Sequence, residues 1–369
     1  MDFELSQTQH DLGGLARQIL TDRVTADRLR AADDTRFDRE LWAELARAGV
    51  LSAALPEAAD GAGLGLLEQC SVLIEIGRTV APVPYLPSVV LAAGALAAFG
   101  TRAQRQHWAA PAGRGEIVLA VALTDEDSDD PRSPAATAAP APGGWRLTGA
   151  KTAVQAGAIA GLLLVSAATP GGPRIFLVRP GDLGVTITPQ LVTGGDGTAL
   201  VELAGAFVPE DQLLADDSLG PDVLDWLVSR ATLGLCALQL GVTQRALEVT
   251  AAYAQTREQF GKPIGSFQAV SQRLADGYID VESQRLTLWQ AAWRLAEAMP
   301  CETELATAKF WAAEAGHRLA HTAVHIHGGV GIDTDGEVHR YFVAAKYNEF
   351  ALGGATAQLR RIGAALASD

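Results

Sequence analysis

The hydrophobic pattern of this chain changes its period twice, and that double switch is the tightest constraint on its fold. Up to about residue 116, apolar positions recur three and four apart, as at Leu12, Leu15 and Ile19 and again at Leu41 and Leu45. That spacing is the stripe of amphipathic helices, and Pro56, Gly61, Pro82, Pro84 and Pro87 punctuate it. From about 117 to 215 the pattern shortens to β-rich runs at 117–123, 145–147, 162–165, 174–178, 185–187 and 199–203. Within this stretch, 131–144 (PRSPAATAAPAPGG) is rich in Pro and Ala and reads as a solvated loop outside any ladder. From about 216 the helical period returns: at 222–256, at Phe267, Val270, Leu274, Tyr278 and Val281 before Pro300, at 302–325 and at 355–367. The expectation is an α+β fold with an N-terminal helical domain (1–116), a middle β domain (117–215) and a C-terminal four-helix bundle (216–369).

With 369 residues, 48% of them hydrophobic, the chain can bury a substantial core. Its net charge of −14 repels nucleic-acid phosphates and anionic lipid surfaces, so neither is an expected partner. The low-charge stretches 85–100 and 156–169 fall short of the roughly 20 apolar residues of a membrane helix. Met1-Asp2-Phe3-Glu4 lacks the basic start of a signal peptide, and the expected location is the cytoplasm. Cys70, Cys236 and Cys301 have neither disulfide nor thiolate-metal spacing. His317, His321 and His325 recur at i, i+4 and i+8, but without HExxH they read as a partly buried polar face, and no metal is expected.

Two segments carry chemistry. In 253–276, YAQTREQFGKPIGSFQAVSQRLAD, a helix ends near Arg257, a turn containing Gly261, Pro263 and Gly265 follows, and Ser266 can cap the next helix. Arg257, Phe260 and Gln268 at such a terminus suit a bidentate grip on a pyrophosphate. Spacing alone leaves open an arginine that caps helix carbonyls with Phe260 in the core. In the second segment, HIHGGVGI, Gly328, Gly329 and Gly331 end a helix and permit close approach of backbone to a ligand, although a glycine C-cap looks similar.

At this separation, and after a β domain, the two segments resemble the arginine-containing and glycine-rich FAD segments of the acyl-CoA dehydrogenase family, and the α-β-α layout resembles that family over nearly the full length. The resemblance implies an FAD site shared between subunits. Arg257, Gln259, Phe260, Gln268, His325, Gly328 and Gly329 would reach the adenosine diphosphate end of a cofactor held mainly by a neighbouring chain.

The other half of the family's site departs from its pattern. Where the family has a TEPxAGSD-like stretch, 123–130 reads LTDEDSDD; where it has GxKxWITNA, 149–155 reads GAKTAVQ, with Ala153 in the Trp position. The reaction needs a carboxylate to take the α-proton as hydride leaves the β-carbon. In place of the family's YEGT-like segment, 351–355 reads ALGGA, and the alternative position on an earlier helix matches Ala231. Glu349 lies about one helical turn, roughly 5 Å, from the first position.

The chain therefore resembles the smaller, base-lacking chain of α2β2 acyl-CoA dehydrogenases of actinobacterial steroid catabolism, through MDFELSQTQHDLGGLARQI, RFDRELWAELARAGVL and PYLPSVVLAAGALAAFG as well. That likeness implies a homologous catalytic partner chain that supplies the base, a steroid side-chain CoA thioester as substrate, and an electron-transfer flavoprotein or similar acceptor. Two alternatives stand beside it: a self-sufficient homomeric dehydrogenase with an unusual base such as Glu349, and a purely structural subunit.

Overall fold

A computed structural model of the chain describes residues 5–31, 37–128, 130–194, 197–215 and 219–368; the opening at 1–4 and Asp129 of the 123–130 stretch lie outside the described residues. Helices α1 (Gln7–Arg23), α2 (Ala26–Ala31), α3 (Arg39–Arg47) and α4 (Leu66–Thr79) come first. A π-helical segment, Tyr85–Ala93, runs into α5 (Gly94–Phe99), followed by the short α6 (Arg102–Gln104) and α7 (Ala110–Gly113). Strands β1 (Leu119–Ala122), β2 (Thr137–Ala141), β3 (Gly144–Val154), β4 (Leu162–Thr169), β5 (Gly172–Val178), β6 (Val185–Pro189), β7 (Ala199–Pro209) and β8 (Leu213–Leu214) form the middle. Then come α8 (Gly220–Thr256), the small hairpin β9 (Glu258–Gln259) and β10 (Lys262–Pro263), and α9 (Gln268–Ala296), α10 (Glu302–His327), α11 (Glu337–Phe350) and α12 (Ala355–Ser368). The fold is α+β in the expected order, with α11 a helix the sequence period did not single out.

These elements gather into two compact units, one of Ala31–Gly65 and Pro82–Ala231, the other of Met1–Arg30, Leu66–Ala81 and Thr232–Asp369. The first contains the sheet, ordered β6-β7-β3-β2-β4-β5-β8, with β1 parallel to the first half of β4. β4 is a continuous apolar run buried through its first six residues, as a strand covered on both faces must be. In β3, the fully buried Lys151 donates to Asp125 Oδ2 at 2.8 Å and to Ser166 Oγ at 2.9 Å, and Asp125 Oδ1 accepts from the Ala136 N–H at 2.9 Å. Burial pushes the Lys151 ammonium below its ordinary pKa, and Asp125 opposes that shift.

The expectation of a loop without ladder at 131–144 is wrong. Thr137–Ala141 is β2, antiparallel to β3 from Thr137↔Thr148 to Ala141↔Gly144. Its other edge meets β4 at the single pair Thr137↔Ala168, so Pro140 sits on a largely open edge where its missing N–H costs little.

In the second unit, α1 begins with a Ser6 capping box closed by Gln9 and buries Leu12, Ala16 and Leu20, while Leu15 is 39% exposed. Arg17 grips Glu75 of α4 through both carboxylate oxygens, at 2.9 and 2.7 Å. Gly77 of α4 lies against the Leu238 carbonyl of α8 and Gly241 of α8 against the Ile74 carbonyl, so two glycines bring these helices into backbone contact. The stripe expected on α9 holds at Phe267, Val270 and Leu274, which are half-buried, and at the buried Val281, but breaks at Tyr278, which is 61% exposed while Gly277, Asp280, Gln284 and Leu288 are buried. Gly277 takes the inward place expected for Tyr278, close against α10, where a Cβ would meet Leu319 Cδ1 at 2.7 Å, and Asp280 is admitted to the interior because Arg318 of α10 neutralises it. The low-charge scan also passes over α8, which is long and apolar enough to cross a membrane by composition; 78% of its most apolar window is buried within the protein.

Lys151→Met, which leaves Asp125 buried without its cation, is expected to lower the unfolding free energy by about 3–5 kcal/mol in urea titrations at neutral pH. The double variant with Asp125→Leu should recover most of that loss.

Candidate functional site

Helix α8 ends in a turn that aims the first segment outward. The Arg257 N–H donates to the Tyr253 carbonyl at 2.8 Å, and the Ile264 N–H closes the hairpin on the Arg257 carbonyl at 2.8 Å. Phe260 (φ 55°) and Gly261 (φ 78°) form the two-residue turn between β9 and β10, with both central residues left-handed as a type I′ turn requires. Glycine accepts that conformation freely; a phenylalanine there is strained. Phe260 is 92% exposed and meets the edge of Phe267, at 6.1 Å between centroids, so the arrangement with Phe260 in the core does not occur. Ser266 does not cap α9: its hydroxyl donates to the Pro263 carbonyl at 2.7 Å within a single 3-10 turn, leaving Phe267 in the N-cap position with no side-chain cap. Arg257, Gln259 and Gln268 are all exposed. The Arg257 guanidinium makes no hydrogen bond or ion pair among the described residues, whereas the Gln259 amide donates to the Glu258 carbonyl at 2.9 Å.

The second segment ends α10. Gly328 (φ 62°, ψ −138°) is its C-cap, in a region closed to other residues, and a 3-10 turn, Gly328–Ile332, follows. A Cβ at Gly331 would meet the Val324 carbonyl at 2.9 Å and His327 Cβ at 3.1 Å, so the chain's own packing demands that glycine. At Gly328 and Gly329 a Cβ would meet nothing within 4 Å. Gly329, with neither positive φ nor close neighbour, has no reason within its own chain to lack a side chain; His325 beside it is exposed.

Sequence reasoning missed what joins the two segments. Tyr253, four residues before Arg257, stacks on His327, one before Gly328, with centroids 4.2 Å apart and rings inclined by 22°. The buried His327 fixes its ring by donating from Nδ1 to the Ala323 carbonyl at 2.9 Å, since a carbonyl can only accept. All seven candidate residues thus lie in one unit, exposed, on two turns tied together by a ring stack. A free guanidinium and bare glycine backbone fit a diphosphate and its sugar.

No carboxylate stands in the expected base segment. Between α11 and α12, Leu352 (φ 57°) and Gly353 (φ 94°) turn the chain sharply, and the buried Gln358 donates to their carbonyls at 3.3 and 2.9 Å. Ala231 is buried. Glu349 is held by Lys346 at 2.8 Å and His317 at 3.0 Å, an ion-paired carboxylate rather than a free base. Lys309, fully buried, donates to the Asn348 and Glu349 carbonyls at 2.8 and 3.1 Å, and burial pushes it down to about 8. His317 and His321 lie ring to ring at 4.5 Å, and no cluster of three or more metal-ligating side chains occurs among the described residues.

In the sheet unit, the groups at the family's flavin-contacting positions are engaged internally. Asp125 and Lys151 hold each other. The Thr152 N–H donates to the Thr124 carbonyl at 3.0 Å, the Ala153 N–H to Gln190 Oε1 at 2.8 Å, and Gln190 Nε2 to the Thr152 hydroxyl at 3.1 Å.

Residues 6–116 match the family description "Acyl-CoA dehydrogenase, N-terminal domain" and residues 220–367 match "Acyl-CoA dehydrogenase, C-terminal domain". The chain is 52% identical to the acyl-CoA dehydrogenase FadE27 of Mycobacterium tuberculosis (strain ATCC 25618 / H37Rv), over 100% of this chain and 99% of that one. Among solved structures it is similar to a chain of the ChsE4-ChsE5 complex from Mycobacterium tuberculosis, with TM-score 0.95, 52% identity and 100% of both chains covered. It is also similar to a variant of the Tcur3481-Tcur3483 steroid ACAD, with TM-score 0.91, 44% identity and 98% of both chains covered.

Gly353→Glu, which restores a carboxylate to the base segment, is expected to give no dehydrogenase activity and to lose about 1–3 kcal/mol in thermal unfolding, because a side chain is strained at φ 94°. Lys309 titrates near 8 folded and near 10.5 unfolded, so the unfolded chain binds more protons between those values and stability rises with pH there. The unfolding free energy of the wild type relative to Lys309→Met should therefore grow from pH 8 to 10.5, by at most about 1.4 kcal/mol per unit; a difference flat in pH would contradict the assignment.

Proposed function

The chain belongs to the acyl-CoA dehydrogenase family, and from that premise we propose that it is the base-lacking subunit of a heteromeric, FAD-dependent member, lending half a cofactor site to a homologous catalytic chain in an α2β2 assembly. The observation that carries the reading is the contrast within this one chain. Its Arg257 hairpin and its Gly328–Gly329 turn face outward, while its base segment is a hydrogen-bonded turn without a carboxylate.

In this reading Arg257 binds the diphosphate through its fork of N–H donors, and Gln259 and Gln268 offer amide hydrogen bonds. Phe260 would supply an apolar contact, and His325 with the backbone of Gly328 and Gly329 would help hold the adenosine diphosphate end. Bound FAD supplies the hydride acceptor for α,β-dehydrogenation. The proton acceptor comes from the partner chain, because Glu349 is already paired with Lys346 and His317 and Ala231 has no acid. A steroid side-chain CoA thioester is the proposed substrate, supported by the likeness to FadE27 and to the steroid ACAD, with an electron-transfer flavoprotein or similar acceptor taking the electrons in the cytoplasm.

Arg257→Ala in the assembled complex should weaken FAD binding by about 10- to 100-fold, the 1.5–3 kcal/mol of a hydrogen bond to a charged group. Flavin absorbance retained through gel filtration measures this. Wild-type FAD content in the variant would remove the half-site role and favour a purely structural subunit.

A further inference from the structure

Two turns far apart in sequence must present their groups to one ligand in one register, and a ring contact joins the helices that bear them. Tyr253 belongs to the last full turn of α8, and the Arg257 N–H hydrogen-bonds to its carbonyl, so any tilt of Tyr253 moves the hairpin. His327 is the last residue of α10, and the Gly328 N–H is tied back to the Val324 and His325 carbonyls. The rings stack at 4.2 Å and 22°, and His327 Nδ1 donates to the Ala323 carbonyl.

The glycines around this stack divide by role. Gly265 and Gly331 are required by the chain itself, one against the Ala254 carbonyl at 3.0 Å and the other against Val324 and His327, and both press the turns onto the elements that bear the stacked rings. Gly328 and Gly329 are open outward. A stack needed only for stability would not have to coincide with the roots of both ligand-facing turns.

We propose that the Tyr253–His327 stack is the positioning element of the half-site: it holds the Arg257 hairpin and the Gly328–Gly329 turn in one register and acts on the cofactor only through them. The inference rests on the reading that these turns serve FAD. An aromatic pair of this kind is a rigid spacer whose geometry survives replacement by another flat ring and is lost on truncation.

The test uses the complex of this chain with its homologous partner, carrying His327→Ala, His327→Phe, Tyr253→Ala, Tyr253→Phe and, as a benchmark, Arg257→Ala. FAD affinity of the deflavinated complexes, the oligomeric state and the melting temperature are measured for each. The two alanine variants at the stack should assemble as the wild type does and bind FAD at least about tenfold more weakly, whereas the two phenylalanine variants should stay within about twofold of wild type.

If the alanine variants lower the melting temperature or prevent assembly without weakening FAD binding in whatever complex forms, the stack is structural and the proposal fails. Phenylalanine variants that lose FAD as fully as the alanine variants would also overturn it, because the shape of the ring would then not be what matters. When Arg257→Ala loses FAD and His327→Ala does not, this inference alone falls; when neither loses FAD, the half-site reading falls with it.

Discussion

A buried ammonium fixes the part of this protein where catalysis would be expected. Lys309 has no exposure, and its hydrogen bonds go to the carbonyls of Asn348 and Glu349 at the end of α11, where the helix dipole also favours a cation. Asn348 in turn donates its side-chain amide to Gln239 of α8 at 3.0 Å, and Gln239 lies against Gly316 of α10, which leaves it room. Three helices are thus locked around the entry to the 351–354 turn, and Gln358 locks its exit. The turn is strongly specified, yet Gly353 presents no side chain.

The opposite economy holds at the cofactor-facing turns. Phe260 has nearly all its surface exposed, the Arg257 guanidinium has no partner among the described residues, and a side chain at Gly329 would meet nothing within 4 Å. A cofactor held by a second chain accounts for all three at once. The internally satisfied groups of the sheet unit, Asp125 with Lys151 and Gln190 with Thr152 and Ala153, have no such unspent capacity.

The order of helix, sheet and helix was legible because period is set by backbone geometry, which burial of side chains follows directly. The seven candidate residues stand in two short motifs, and all seven are exposed. What failed needed information from distant residues. β2 was hidden because Pro140 and its alanines carry no strand signature, and only the half-open edge beside β4 tolerates them. On α9 the inward place expected for Tyr278 belongs to Gly277, packed against Leu319, and Ser266 gave its hydroxyl to Pro263 instead of to α9. The Lys309 cap, the Arg318 pair with Asp280 and the Tyr253–His327 stack each join residues at least 38 positions apart. No local pattern announces such a pair.

The central claim is that this chain completes a cofactor site without owning a whole one. The direct measurement is bound FAD per chain, with dehydrogenation of a steroid side-chain CoA thioester, for the chain expressed alone and together with its homologous partner. The account predicts a colourless, inactive chain alone and a yellow, active complex with about one FAD per pair of unlike chains. Full FAD occupancy and turnover by this chain alone would contradict it, and would mean that a base and a flavin pocket lie within this chain after all.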